Sequence, residues 1–76
     1  MIIERKRWVI MRNNRKEIFC GLARNYQFKK IDNIGDTAVK TYVSKNKAIA
    51  SFENSWSCID FEYEAVEIVE RYEVVS

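Results

Sequence analysis

Two sets of side chains in this 76-residue chain have the type and spacing to act on another molecule, and both would act through charge. Glu62, Glu64, Glu67, Glu70 and Glu73 crowd the C-terminal segment, while Arg5, Arg7, Arg12, Arg15 and Lys16 gather near the N-terminus. A row of carboxylates on a rigid element can occupy a basic groove, using the complementarity that steers charged partners together. A basic ribbon can instead follow a phosphate backbone, with Lys45 and Lys47 above helix-start amides as a second anion contact. Each set also has a plain reading. The carboxylates can be a solvated outer face, and the arginines a strand edge protected against aggregation.

The charge is unevenly spread. Residues 1–47 carry twelve Lys or Arg against four Asp or Glu, a net +8. Residues 48–76 carry one against seven, a net −6, so the formal total of +2 conceals a strong asymmetry. Either the two regions form separate surfaces, or they are neighbours in one sheet and neutralise each other.

Covalent and metal chemistry find little footing. The chain has no histidine to serve as a base beside a nucleophile. Cys20 falls in an apolar alternation, and Cys58, near Asp60, has no adjacent cation to lower its pKa. Two widely separated cysteines without histidine do not make a zinc site. Gly21 and Gly35 are the only glycines, which excludes a phosphate-binding loop. The expectation is a protein that is not an enzyme and uses no cofactor and no metal. No apolar run approaches membrane-spanning length. With no apolar signal segment after Met1, the thiols read as reduced and the location as cytoplasmic.

The glutamates need an element to hold them. In the segment from Tyr63 to Val75, period two places Val66, Ile68, Tyr72 and Val74 on one face and Ala65, Glu67, Arg71 and Glu73 on the other. A helical stripe of Phe61, Ala65, Ile68, Tyr72 and Val75 competes. The Val, Ile and Tyr content favours a strand. The arginines lie around a hairpin. Its first strand, Arg5 to Arg12, is apolar on both faces at its centre and belongs inside the sheet. Asn13 and Asn14 supply a turn that tolerates positive φ. The return strand is Glu17 to Leu22, with Ile18, Cys20 and Leu22 on one side.

Gly21 marks a bulge or a close backbone approach, and Ala23 to Ile31 extends the second strand irregularly, with Tyr26 and Phe28 facing alike. Asp32 to Asp36 is a loop. A third strand follows from Thr37 to Val43. Ser44 caps a three-turn helix from Lys45 to Ser55, whose Ala48, Ile49 and Phe52 share a stripe with Trp56. Lys45 and Lys47 in its first turn and Glu53 in its last oppose its dipole. Ser57 to Asp60 leads to the final strand, placed parallel to the third and, if they pair, to the first. The expected architecture is a single α+β domain, β-β-β-α-β, with a small mixed or antiparallel sheet of three to four strands and one helix on one face. Its expected radius of gyration is about 11 Å.

Trp8-Val9-Ile10 before the turn, Phe19-Cys20-Gly21 after it, Tyr42-Val43-Ser44 leading to Ala48 and Phe52, and the closing Glu/Val-rich strand together resemble small accessory proteins of phages and mobile elements, anti-CRISPR proteins among them. That resemblance implies a non-enzymatic protein-binding module that inhibits a bacterial defence nuclease by occupying a surface of it. Docking would run through the five glutamates or the basic hairpin, with exposed tyrosines as anchors. The alternative is a nucleic-acid binder using Arg5, Arg7, Arg12, Arg15 and Lys16. A third reading is a homodimer formed through an exposed strand edge.

Overall fold

The structure, a computed structural model, describes residues 1–21, 27–35, 37–56 and 58–75. These form β1 (Ile2–Arg12), β2 (Glu17–Phe19), β3 (Phe28–Lys30), a 3₁₀ turn (Ile31–Asn33), α1 (Lys45–Ser55) and β4 (Tyr63–Glu73). The strands make one antiparallel open sheet in the order β3-β2-β1-β4, with α1 against one face, a small α+β fold.

The continuous buried run Val9, Ile10 and Met11 explains why β1 is central. Successive side chains of a strand point to opposite faces, so a run without polar interruption needs cover on both. On one face Ile10 packs with Phe19, Tyr42, Ala48 and Phe52, and Trp8, Phe28, Trp56, Phe61 and Tyr63 close around them. On the other, Val9, Met11, Ile18 and Cys20 meet Val66 and Ile68, under Ile34 and Val39. Phe52, Ile10 and Val9 are the largest side chains wholly removed from solvent. Each such burial contributes roughly 1.5–3 kcal/mol.

Local signals set several boundaries. Ser44, in extended conformation, accepts a hydrogen bond at Oγ from the Lys47 N–H at 3.2 Å, and α1 runs from Lys45 to Ser55 as its cap and spacing predict. The hairpin turn places Asn13, Asn14 and Arg15 at φ of 57°, 56° and 63°, and the Lys16 N–H donates to the Asn13 carbonyl. Asparagine adopts this left-handed region more readily than other non-glycine residues. β2 ends at Phe19, short of Leu22, and the expected placements of Leu22, Ala23, Arg24 and Tyr26 lie outside the described residues, as do Asp36 and Ser57.

Two expectations are corrected. The third strand is Phe28–Lys30, which pairs Phe28 with Phe19 and Lys29 with Ile18. Thr37 to Val43 is not a ladder strand: it forms one isolated bridge to the sheet, Tyr42 to Trp8, and a backbone bond from the Lys40 N–H to the Phe19 carbonyl at 3.3 Å. Its apolar residues serve different faces, Val39 lying over the Met11 side and Tyr42 joining the helix side, so the segment crosses the sheet margin. The second correction concerns direction. β4 is antiparallel to β1 along its whole length, from Ile2↔Glu73 to Arg12↔Tyr63. The bridge at Tyr42 is antiparallel too, so the chain flanks β1 on both sides in one direction and α1 carries it across.

Candidate interaction surface

β1 and β4 continue as a two-stranded ribbon beyond the helix. β2 meets β1 only at Met11 and Arg12, and Tyr42 meets it at Trp8, which leaves the register pairs from Ile2↔Glu73 to Arg7↔Ile68 outside the wider sheet. The molecule therefore measures 46 × 26 × 23 Å, with a radius of gyration of 13.2 Å. A compact chain of this length would have about 11 Å. Ile2, Ile3, Val69, Tyr72 and Val74, all on this ribbon or at its tip, are each roughly half exposed.

The structure interleaves the two charged sets. Glu64 and Glu70 lie on one face of β4, Glu67 and Glu73 on the other, and Glu62 precedes the strand. The five glutamates proposed to dock together are thus divided between two faces, as the alternation of the strand requires. Arg15 Nε lies 2.6 Å from Glu64 and Arg5 Nε 2.8 Å from Glu70, while Arg71 stands 3.9 Å from Glu4. Glu70 also accepts from the Tyr72 hydroxyl at 2.9 Å. The hydrogen bond from Arg5 outweighs desolvation and, with Tyr72 and Thr41, holds the Glu70 carboxyl below its ordinary range. The same bond raises the Arg5 guanidinium.

The basic hairpin is likewise engaged by its own chain. Arg12, on the helix side, lays its guanidinium 4.0 Å from the ring centre of Phe28 and 4.8 Å from that of Phe61, while its Nε meets Glu17 at 3.3 Å. This is a lid on the aromatic core, in which cation–π attraction and packing act together. Arg7 donates from Nη2 to Thr41 Oγ1 at 3.3 Å, and its Nε is buried without a hydrogen-bond partner. Lys16 is exposed on the turn. The Arg12 stack was invisible to sequence spacing because Phe28 and Phe61 reach it from distant parts of the chain.

A cleft of about 580 Å³ opens beside the turn, between Met11, Arg12 and Asn13 on one side and Phe61, Tyr63 and Glu64 on the other. Tyr63 donates its hydroxyl to Glu53 of α1. Burial first, and that bond second, push its phenol up to about 12. Among the described residues no cluster of His, Cys, Asp and Glu could hold a metal ion. Cys20 is buried and Cys58 exposed. No helix among them is long and apolar enough to cross a membrane.

The backbone of β4 defines the remaining feature. Val74 N–H donates to the Met1 carbonyl at 2.8 Å and the Met1 ammonium to the Val74 carbonyl, so Met1 and Val74 are a hydrogen-bonded pair. Bonded and non-bonded pairs alternate along an antiparallel ladder. The register then turns the backbone groups of Glu64, Val66, Ile68, Glu70 and Tyr72 toward β1. Tyr63, Ala65, Glu67, Val69, Arg71 and Glu73 turn theirs outward. Trp8 confirms the phase: it pairs with Glu67 in register and exchanges its backbone bonds with Tyr42 on its other side. β4 is the terminal strand of the sheet, and among the described residues no strand pairs with that outward row.

The chain is thus a small antiparallel α+β protein with a projecting ribbon and one long open edge. Comparison with protein-family models, with curated proteins and with solved structures finds no match.

Proposed function

We propose that this chain is a protein-binding module that docks through the open β4 edge of its ribbon, by strand addition. The observation that carries the proposal is the outward row of backbone donors and acceptors from Tyr63 to Glu73, with Val69 58% exposed in its middle. Strand addition draws affinity from main-chain bonds and specificity from alternating side chains. Natural proteins usually blunt such edges with bulges, proline, charged side chains or a covering loop. Of these, the described residues of this edge carry only charges, Glu67, Arg71 and Glu73, and those are of both signs, which a partner of complementary charge can match.

The distribution of charge favours protein over nucleic acid as the ligand. Arg5 and Arg15 pair with Glu70 and Glu64, and Arg12 with two rings and Glu17, so counter-ions of the chain itself stand beside three of the five cations a phosphate backbone would need. The narrower form of the proposal is inhibition of a bacterial defence nuclease in the cytoplasm, and the sequence resemblance alone supports it. Capture from a bacterial lysate on immobilised protein tests the edge reading. Val69→Pro removes one outward N–H and leaves the inward bonds to β1, and it should release captured protein while the fold persists. Undiminished capture by that variant refutes edge docking.

A further inference from the structure

We infer that the open β4 edge takes a second copy of this chain, pairing β4 with β4 in antiparallel fashion about a two-fold axis at Val69. The inference rests on the edge-docking reading and names the partner. Only residues whose backbone groups point outward can face each other in hydrogen-bonded pairs across such an edge, which restricts the register to pairings among Tyr63, Ala65, Glu67, Val69, Arg71 and Glu73.

Charge and ladder length then select among the allowed registers. Centred on Val69, the pairing sets each Glu67 opposite Arg71 of the second copy, twice by symmetry; Arg71 is exposed and its contact with Glu4 of its own chain is long, 3.9 Å. Val69 faces Val69, and Ala65 faces Glu73. On the opposite face, Val66 and the half-exposed Tyr72 become direct cross-strand neighbours. Opposite charges and aromatic–β-branched pairs are favourable in these positions.

Sliding one chain relative to the other removes these matches. An axis at Glu67 opposes two glutamates, and one at Arg71 opposes two arginines. An axis at Glu70 sets Glu70 against itself and Glu67 against Glu73. An axis at Ile68 avoids like charges and loses both ion pairs. An axis at Tyr72 sets Arg71 opposite Glu73 twice but leaves only Val69 to Val75 in the ladder, against Tyr63 to Val75 for the axis at Val69. Glu64 and Glu70, which add to the acidity of the edge, are already neutralised within each chain by Arg15 and Arg5. The interface is isologous and closes on itself. It joins two sheets into one continuous sheet with both helices on the same face, because residues directly opposite each other across a ladder share a face.

The test is the solution mass of the full chain, by light scattering and sedimentation equilibrium, from about 10 µM to about 1 mM, the weak end of measurable affinity. The wild-type chain should form a dimer, with the Val69 and Glu67 amides shifting and gaining exchange protection as concentration rises. Glu67→Arg and Arg71→Glu each turn two attractive pairs repulsive and should weaken self-association about tenfold. Mixed in equal amounts, the two variants restore both matches, and the heterodimer should regain wild-type affinity. Circular dichroism on each variant separates loss of pairing from loss of fold. A wild-type chain that stays monomeric at the highest concentration overturns the inference, as does a mixture no tighter than its components. If Val69→Pro still abolishes lysate capture in that case, edge docking stands and the partner is a different protein. If capture is unaffected as well, both readings fall.

Discussion

Replacing Phe52 by alanine should remove most of this protein's stability. Phe52 is wholly buried and sits among five rings: Tyr63 at 4.8 Å, Phe19 at 5.0 Å, Trp56 at 5.6 Å, Phe28 at 5.8 Å and Phe61 at 6.3 Å between centroids. Phe→Ala in a core costs about 3–5 kcal/mol, the transfer of the lost ring plus the cavity it leaves. The upper part of that range applies here, because aromatic pairs add about 0.5–1.5 kcal/mol each beyond area burial. A domain of this length has roughly 4–11 kcal/mol in total. Only Ala48 and Phe52 of α1 are buried, so the helix has no second anchor of comparable size. Helices of this length do not persist alone in water.

The assay is urea denaturation followed by tryptophan fluorescence and by helical circular dichroism. Trp8 and Trp56 both pack against the cluster and report on it directly. The midpoint should fall sharply with the slope little changed, and the two signals should coincide. A loss below about 1 kcal/mol, less than burial of one aliphatic side chain, would show that α1 is not docked through Phe52 and would refute the packing described above.

Other outcomes follow from single contacts. Lys47→Glu puts a carboxylate at the third helical position after the Ser44 cap and completes a capping box, and it should raise stability by about 0.5–1 kcal/mol in a denaturation series; no gain would mean that the helix start is not formed as described. Asn14→Val forces a β-branched residue into φ 56° and should cost about 1–2 kcal/mol, whereas Asn14→Gly should be close to neutral. Equal effects would refute the left-handed turn. The folded-state phenol of Tyr63 titrates at about 12, above its unfolded value. Its contribution is therefore complete below about pH 10 and lost as pH rises through the folded value, with phenolate absorbance of Tyr63 appearing late. Glu53→Gln should shorten that delay only in part, because burial is the larger cause; loss of the whole delay would refute that ranking. Glu70 is shifted the other way, so its contribution is present above its ordinary value and disappears as pH falls below it, in wild type and not in Glu70→Gln.

Much of the fold was legible along the chain. Ser44 and the spacing of Ala48, Ile49 and Phe52 set both ends of α1, because a cap and a helical stripe are built from residues a few positions apart. Asn13 and Asn14 announced the hairpin turn for the same reason. The uninterrupted apolar run of Val9, Ile10 and Met11 required a strand covered on both faces. The Val, Ile and Tyr content after Tyr63 decided strand over helix where periodicity alone was ambiguous.

Tertiary structure decided the rest. Thr37 to Val43 alternates like a strand, yet Phe28–Lys30 takes the place beside β2, where Phe28 can stack on Phe19 at 5.4 Å. No local signal weighs one pairing against another. The direction of β4 followed from pairing with β1. That same pairing set Arg5 against Glu70, sixty-five positions away in sequence. The chain alone specified how much charge of each sign it carries and on which kind of element. Which charges cancel within the molecule, and which remain along an open edge, depended on register, and register is a property of two strands rather than of either one.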